Sequence, residues 1–270
     1  MNFIQAIETA WEKKNTLLCV GLDPDLDKIP ASFRSLNNPF FHFNKAIIDA
    51  TADIVCAFKP QIAYYSAIGA ERDLELTIKY IHENHTGIPV ILDAKRGDIG
   101  STAEKYAAEA FDRYWADAVT VNPYMGSDTL EPFLARKDKG VIILCRTSNP
   151  GAIDIQDIIA NNRKLYQVVA EKAASSWNYN GNVLLIVGAT FPKELGEIRA
   201  IAGNMPFLVP GIGAQGGDVK FAVLNGKTSK GAGMIINSSR SIIFASRKDD
   251  FAEAARKAAI ALRNEINLYR

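Results

Sequence analysis

Four charged side chains follow an apolar run in the stretch ILDAKRGDIGST, which spans residues 91–102. They are Asp93, Lys95, Arg96 and Asp98. An ammonium group can stabilise a developing anion and can also give up a proton, whereas a guanidinium stays protonated in proteins. Because side chains alternate along a strand, Asp93 and Lys95 would share one face. The stretch therefore indicates electrostatic or proton-transfer chemistry at a site that contains Lys95 and Asp93.

Eight short apolar runs, rich in Val, Ile and Leu, are typical of strands that are buried on both faces. They span 16–23, 53–61, 88–95, 117–124, 140–148, 182–190, 206–213 and 233–240. Helical patterns lie between most of them, which predicts a parallel sheet with right-handed crossovers. Eight is the number of strands that closes a (β/α)₈ barrel. We therefore expect one barrel domain over residues 1–270, with a doubly wound open sheet as the alternative fold.

Three of the helical patterns are clear. Apolar residues recur at helical spacing through 101–115, and Ser101 with Glu104 three residues later matches a capping box. A second pattern runs through 64–84, and the last begins at about Asp250. These helices would cover the outside of the barrel.

The strand ends carry most of the polar residues with chemical potential. Asp23 ends the first strand and Lys59 the second, and Lys59 would lie beside Asp93 and Lys95 on the third. The later strands leave Asn122, Thr147, Ser148, Thr190, Ser238, Ser239 and Arg240 at the same end. A buried ion-pair network that only supports the fold is the alternative interpretation. Such a network costs desolvation and rarely adds net stability, so its place at a barrel mouth favours function.

The glycine-rich segment PGIGAQGGD at 210–218 follows the seventh strand. Gly211, Gly213 and Gly216 match G-x-G-x-x-G, but no acidic residue follows about 20 positions later, as a dinucleotide site would require. Backbone N–H groups of such a loop can instead approach a phosphate, and Arg240 could bind it through two hydrogen bonds. The alternative is a tight turn beside a surface arginine. We expect a phosphate site built from Gly213, Gly216 and Arg240.

Composition narrows the function classes. The formal net charge is +1, which does not favour a nucleic-acid partner or an anionic membrane surface. No apolar stretch is long enough to cross a bilayer, and the start resembles no signal peptide, so we expect a cytoplasmic protein. Cys19, Cys56 and Cys145 sit inside apolar runs and are expected to be buried, without a disulfide or zinc site. His82 and His85 are expected at a solvated helix end rather than at a metal.

The motifs together resemble one enzyme family. The segment DAKRGDIGST resembles the D-x-K-x-x-D signature of the orotidine 5′-phosphate decarboxylases, a signature that related barrels share. The segments GLDPD, FKPQ, TSNPGA, PGIGAQGGD and NSSR resemble the longer bacterial branch of that family, in order along nearly the whole chain. The resemblance implies conversion of orotidine monophosphate to uridine monophosphate and CO₂, without cofactor or metal. It also implies a homodimer with sites at the interface.

The resemblance also implies roles for the charged residues. Lys95 would donate a proton to pyrimidine C6, and Asp93 would lie beside the substrate carboxylate. Lys59 would hydrogen-bond the ribose and hold the charge network together. Asp98 and Thr102 would reach across the dimer into the partner's site, which spacing alone does not indicate. Whether Asp93 also acts by ground-state repulsion stays open at this point.

The remaining substrate contacts carry over in the same way. Asp23 would bind the ribose, Ser148 the pyrimidine, and Gln215 and Arg240 the phosphate. The segments 148–160 and 213–218 are candidate lids, because each follows a strand end and lacks a clear pattern. The segment 24–39 is longer than in compact members of the family and receives no role.

Three other functions remain as alternatives. The first is a Mg²⁺-dependent sugar-phosphate decarboxylase or aldol enzyme of the same barrel group, which would lose activity on chelation. The second is a Schiff-base aldolase that uses Lys95, which borohydride would trap. The third is a non-catalytic sensor of phosphorylated ligands, which would bind without turnover.

Overall fold

Eight parallel strands curl into a barrel in the computed structural model, which describes residues 1–212 and 216–270. The barrel strands are β1 (Leu18–Leu22), β2 (Ala57–Pro60), β3 (Ile91–Arg96), β4 (Ala118–Val121), β5 (Gly140–Arg146), β8 (Val183–Val187), β9 (Phe207–Val209) and β10 (Met234–Ser238). The order around the sheet is β2-β1-β10-β9-β8-β5-β4-β3. Two parallel bridges, Phe58 with Val90 and Gln61 with Asp93, join the two ends of this order. The predicted (β/α)₈ barrel is confirmed, and the open sheet is excluded.

Helices follow the strands on the outside of the barrel. They are α1 (Phe3–Lys13), α2 (Ala31–Arg34), α3 (Pro39–Thr51), α4 (Ile62–Ser66), α5 (Glu71–Asn84), α6 (Gly100–Ala108), α7 (Ser127–Leu134), α8 (Ile153–Gln156), α9 (Leu165–Lys172), α10 (Pro192–Ala202), α11 (Val219–Gly226), α12 (Arg240–Ile243) and α13 (Phe251–Asn267). Single π-helical turns, Glu109–Arg113 and Ala173–Trp177, extend α6 and α9. A small antiparallel hairpin of β6 (Ile159–Ala160) and β7 (Arg163–Lys164) lies between β5 and α9.

The core follows from the apolar pattern of the strands and helices. All five residues of β1 and all five of β8 are buried, as expected for strands covered on both faces. The last helix, α13, buries Phe251, Ala255 and Ala259 at helical spacing, which confirms the predicted helix. Its Phe251 ring stacks on Phe43 at 5.2 Å between centroids and meets Phe33 edge-on at 5.4 Å. The 24–39 segment therefore packs against the helix that ends the fold.

Two helix predictions were wrong in detail. The 64–84 pattern is divided into α4 and α5, and Gly69 between them has φ +69, a conformation that ends a helix. The capping box at Ser101 is absent, because α6 already begins at Gly100 and its N-cap Ile99 has no side-chain bond. The carboxylate of Asp98 accepts the Ile99 N–H at 2.8 Å, directly before the helix begins.

The cysteines are free and buried, as predicted. Burial raises the pKa of the Cys56 thiol to about 12, so it stays protonated. His82 and His85 are partly buried rather than solvated, and each lies within 3.0 Å of a different carboxylate, Asp117 and Asp49 respectively. The described residues contain no cluster of three or more metal-binding side chains. In the same residues no helix is long and apolar enough to cross a membrane.

Candidate active site

A cavity of about 430 Å³ opens at the carboxyl ends of the barrel strands. Its described lining residues are Asp23, Lys59, Gln61, Tyr64, Asp93, Lys95, Leu144, Thr147, Ser148, Asn149, Ile186, Leu208, Pro210, Gly211, Ile212, Asn237, Ser239 and Arg240. Six residues that the sequence analysis assigned to a catalytic or binding role are among them, on five different strands or their loops: Asp23, Lys59, Asp93, Lys95, Ser148 and Arg240. The barrel thus gathers side chains that are up to 217 positions apart, from Asp23 to Arg240.

A charged network occupies one wall of this cavity. Lys59 Nζ donates to Asp93 Oδ2 at 3.0 Å, and Lys95 Nζ donates to Asp93 Oδ1 at 2.6 Å. The Lys59 and Asp93 side chains are 5% and 11% exposed, whereas that of Lys95 is 45% exposed. One buried carboxylate therefore holds two ammonium groups that both line the cavity, and that of Lys95 is the more exposed.

The network also fixes its own ionisation. Burial alone would raise the pKa of Asp93, but the charges and hydrogen bonds of Lys59 and Lys95 outweigh it and hold the pKa well below its usual range. Burial alone would lower the pKa of Lys59, but the charges of Asp93 and Asp23 raise it above its usual range. Asp93 and Lys59 are therefore both charged at neutral pH.

The network should make stability depend on acid pH. A carboxylate with a lowered pKa stabilises the folded state above its unfolded pKa of about 4, and this contribution is lost as the pH falls further. We expect the free energy of unfolding to fall from about pH 5 to about pH 3, and to fall less in Asp93→Asn. Urea denaturation at each pH measures the free energy of unfolding of wild type and of Asp93→Asn. Asp112→Asn, which removes an exposed partner of Arg136, is the control. If the free energy of unfolding falls equally in wild type and Asp93→Asn, the acid dependence does not come from the Asp93 carboxylate.

Lys95 reaches the cavity by a route that strict alternation does not describe. The pairing of β3 with β4 shifts between Leu92 and Arg96, and Lys95 has φ +48, in the left-handed region. Asp93 and Lys95 do face the same cavity, as predicted, but a bulge and a left-handed residue bring them there. Arg96 points away from it and binds Glu109 through Nε and Nη2 at 2.9 and 3.0 Å.

The remaining lining residues offer polar atoms and an apolar wall. The Oδ1 atoms of Asp23 and Asn237 are buried and have no hydrogen-bond partner. Two acceptors at a cavity wall can receive hydrogen bonds from ligand hydroxyl or N–H groups. Leu144, Ile186 and Leu208 supply an apolar wall beside them, which suits a flat ring. The cavity therefore joins a charged wall, free acceptors and an apolar surface.

Arg240 is exposed and lines the cavity, as Gly211 does. The guanidinium can bind an anion there with two parallel hydrogen bonds. Gly216, which was predicted for the same loop, has φ +79 but does not line the cavity. Gly213 and Gln215, the other predicted members of the phosphate site, lie outside the described residues.

Asp98 and Thr102 do not line the cavity formed by their own chain. Asp98 lies past the end of β3, and Thr102 is an exposed residue of α6. Two other strand-end residues, Asn122 and Thr190, also lie off the cavity. Asn122 accepts the Tyr124 N–H at 3.0 Å, and Thr190 Oγ1 donates to the Ser148 carbonyl at 3.2 Å.

The 148–160 segment, a predicted lid, is attached to the barrel by buried polar contacts. Arg146 is 1% exposed, lies 3.1 Å from Asp157, and stacks over the Phe191 ring at 4.0 Å. Gln156 accepts the Thr147 N–H at 2.9 Å. These contacts tie Gln156 and Asp157 of the segment to the end of β5, and motion of the segment stays a prediction.

Sequence reasoning missed several lining residues, of which Gln61, Tyr64, Asn149 and Asn237 are polar. Gln61 and Asn237 had a usable signal, because each lies two positions from a residue that had been noted, Lys59 and Ser239. Tyr64 lies in α4, after the strand, and no spacing rule points to it. Side chains from helices that follow a strand escape an analysis of strand ends.

Gly188 allows a close approach that fixes Ser148. A Cβ at Gly188 would lie 2.8 Å from Ser148 Cβ and 2.9 Å from its N. Gly188→Ala must therefore displace the Ser148 backbone, and we expect kcat/KM for the substrate to fall about tenfold to a hundredfold. Gly196→Ala, whose Cβ would meet only the Asn225 side chain at 3.2 Å, is the control. If steady-state kinetics give the same kcat/KM for Gly188→Ala and Gly196→Ala, the position of Ser148 does not affect the reaction.

Comparison with known proteins gives a consistent result. Residues 16–258 match the model of the orotidine 5′-phosphate decarboxylase / HUMPS family. The orotidine 5′-phosphate decarboxylases of Ralstonia pickettii (strain 12J) and Dechloromonas aromatica (strain RCB) are each 58% identical over 270 residues, which is all of this chain and all of each relative.

Solved structures agree with these relatives. Leishmania donovani OMP decarboxylase is 40% identical with a TM-score of 0.84, and each chain is covered in full. Leishmania donovani UMP synthase is 42% identical with a TM-score of 0.86, and this chain corresponds to 57% of it. The chain forms a barrel of eight parallel strands and matches the family model over most of its length. It therefore belongs to the orotidine 5′-phosphate decarboxylase / HUMPS family.

Proposed function

We propose that the cavity binds orotidine 5′-monophosphate and that Lys95 donates a proton to pyrimidine C6 as CO₂ leaves. The reaction of this family member is the decarboxylation of orotidine 5′-monophosphate to uridine 5′-monophosphate, a step of pyrimidine biosynthesis. The observation that carries the role of Lys95 is its ammonium, which is held by Asp93 at 2.6 Å and open to the cavity.

The chemistry requires such a group. When the bond from C6 to the carboxylate breaks, its electron pair stays on C6, where the ring does not delocalise it. An ammonium at about 4 Å from that carbon would contribute roughly 4 kcal/mol at an effective dielectric near 20. The Nζ proton then moves to C6, CO₂ departs, and water reprotonates the amine.

Asp93 and Lys59 support this step. Asp93 would lie beside the substrate carboxylate and hold the Lys95 ammonium in place through the short bond. Lys59 balances the charge of Asp93 from the buried side, at 3.0 Å, and would reach the ribose. The network thereby places one positive charge next to the reacting carbon without an uncompensated buried ion.

The rest of the cavity fits a nucleotide. The free acceptor of Asp23 suits a ribose hydroxyl, and the wall with Leu144 and Ile186 suits the pyrimidine plane beside Ser148. Arg240 in the cavity lining suits the phosphate, which Gln215 and the glycine loop would also contact. Binding energy from the phosphate is remote from C6 and can be used for orientation.

We also propose a homodimer in which Asp98 and Thr102 enter the partner's site. Their absence from the cavity of their own chain supports this arrangement. Ile99 beside Asp98 is 61% exposed, and Tyr124 on the adjoining loop is 81% exposed. The two loops touch, since a Cβ on Gly97 would lie 3.1 Å from the Asn122 carbonyl. Exposed apolar side chains of this size are typical of an interface.

Mixing two inactive variants tests the shared site. Lys95→Ala and Asp98→Ala, unfolded together and refolded in equal amounts, should regain about a quarter of wild-type activity. Half of the dimers are then mixed, and one of their two sites contains neither change. If Asp98 acted within its own chain, every site would carry one change and no activity would return. Wild type mixed with Lys95→Ala calibrates refolding.

We further propose that the chain acts as a single domain in the cytoplasm, without nucleic-acid or membrane partners. Its barrel is continuous from β1 to β10, and α13 packs against both α3 and β1. Nearly balanced charge supports the expectation that the partners are small molecules and a second copy of the chain.

The direct test of the activity is the loss of orotidine monophosphate absorbance on addition of purified protein. We expect turnover at the same rate with and without a chelator, because the charge network of the described residues needs no metal to hold it. Turnover of a sugar phosphate that stops on chelation would favour the Mg²⁺-dependent alternative. Binding of both ligands without turnover would favour a sensor.

A further inference from the structure

The hydroxyl of Thr120 lies at the centre of the charged wall, although it is fully buried and does not line the cavity. Thr120 Oγ1 accepts the Ala94 N–H and the Lys95 N–H, each at 2.9 Å, and lies 2.9 Å from Asp93 Oδ1. Because the two N–H groups occupy its lone pairs and an ionised carboxylate only accepts, the hydroxyl proton must point to Asp93. All the hydrogen-bonding capacity of the hydroxyl is therefore used.

The Thr120 side chain replaces backbone acceptors that a regular pairing of β3 with β4 would supply. Between Leu92 and Arg96 there are four residue steps on β3, but their partners Val119 and Val121 are only two steps apart on β4. The extra residues form a bulge, whose N–H groups cannot pair with β4 carbonyls in the regular register. Left without partners, these partly buried N–H groups would destabilise the bulge, and Thr120 from β4 supplies the missing acceptor.

The bulge also contains the one strained residue of the wall. Lys95 has φ +48, and the left-handed conformation is unfavourable for a residue with a Cβ. Its N–H bond to Thr120 holds it there. The same hydroxyl binds Asp93 Oδ1, the atom that receives the Lys95 ammonium at 2.6 Å. One oxygen thus fixes both the backbone of Lys95 and the anchor of its side chain.

We propose that Thr120 is a positioning residue that sets the location of the Lys95 ammonium through the bulge and through Asp93. This inference rests on the proposed roles of Lys95 and Asp93. Thr120 acts on the rate of the chemical step and not on substrate binding, because it does not itself line the cavity.

Thr120→Val tests the inference, because valine keeps the branched shape and removes only the hydroxyl. We expect kcat to fall about tenfold to a hundredfold, as expected for loss of a hydrogen bond to a charged group and of precise placement. KM should change less than about threefold, and Thr120→Ser, which keeps the hydroxyl, should restore kcat to within about threefold of wild type.

Thr16→Val is the matched control. Thr16 is also fully buried, and its hydroxyl donates to the Ile54 carbonyl at 2.8 Å and accepts the Leu18 N–H at 3.1 Å, at the amino end of β1. Both valine variants should lose stability in urea, but only Thr120→Val should lose kcat. If Thr120→Val does not fold, Thr120→Cys is compared with Thr120→Ser instead. Only the serine variant keeps the hydroxyl, so only this variant should keep kcat.

Three outcomes would overturn the inference. They are a kcat in Thr120→Val equal to that in Thr16→Val, a rise in KM with unchanged kcat, and a serine variant as slow as the valine or cysteine variant. If the wild type decarboxylates normally and Thr120→Val has the same kcat, only the role of Thr120 is rejected. Wild type without decarboxylase activity would reject the proposed function itself.

Discussion

Lys95→Ala is expected to lower the rate of CO₂ release by about 10⁵-fold or more while the barrel stays folded. The missing ammonium accounts for about three decades, and the loss of a positioned proton donor accounts for about two to four. Binding of uridine monophosphate should change little, because the ribose and phosphate contacts remain. Single-turnover kinetics and calorimetry with the product separate these two effects.

Lys95→Arg is the informative companion. Arginine keeps the positive charge but stays protonated, so it can stabilise a carbanion without releasing a proton. We expect it to bind product and to remain far slower than wild type. Substantial turnover in Lys95→Ala would contradict the mechanism, and full activity in Lys95→Arg would reduce the role of Lys95 to charge alone.

Asp93→Asn is expected to have the second largest effect, on both activity and stability. Lys59 would remain buried with its side chain only 5% exposed and without its carboxylate partner. Breaking a buried ion pair in this way costs about 3–5 kcal/mol of unfolding free energy. We also expect kcat to fall at least about a hundredfold, since Lys95 loses its 2.6 Å anchor.

A double variant separates the fold from the chemistry. Asp93→Asn combined with Lys59→Met removes the uncompensated ammonium, so part of the unfolding free energy should return. Activity should not return, because no anchor for Lys95 is restored. If the unfolding free energy and the activity both recover, the network only supports the barrel. Urea denaturation and steady-state kinetics on the same preparations decide between these results.

The sequence was sufficient for the barrel and for most of the charged wall. Continuous apolar runs without alternation predict buried parallel strands, and their number predicts closure, so Asp23, Lys59 and Arg240 could be placed at one mouth. Ser101 shows the limit of local signals. Its spacing to Glu104 matched a cap, but the helix already begins at Gly100, so Ser101 lies inside it.

Other features depended on contacts between strands, which spacing does not encode. The bulge at Lys95 arises from the pairing of β3 with β4, and the buried hydroxyl of Thr120 looks like any polar residue in an apolar strand. Asp98 lies past the strand end, and neither spacing nor a single chain says which site it serves. Its destination remains a proposal that the mixed dimers test.

The central claim is that an ammonium at position 95 protonates C6, and restoring that group chemically tests it most directly. Lys95→Cys treated with bromoethylamine regains a side chain with a terminal ammonium, at a position where the lysine is 45% exposed. Cys19, Cys56 and Cys145 are buried and should not react in the folded protein, which mass spectrometry checks. We predict that decarboxylation of orotidine monophosphate returns on this treatment and does not return when iodoacetamide adds a neutral group of similar size. Equal activity of the two products, or high activity before treatment, would contradict the account.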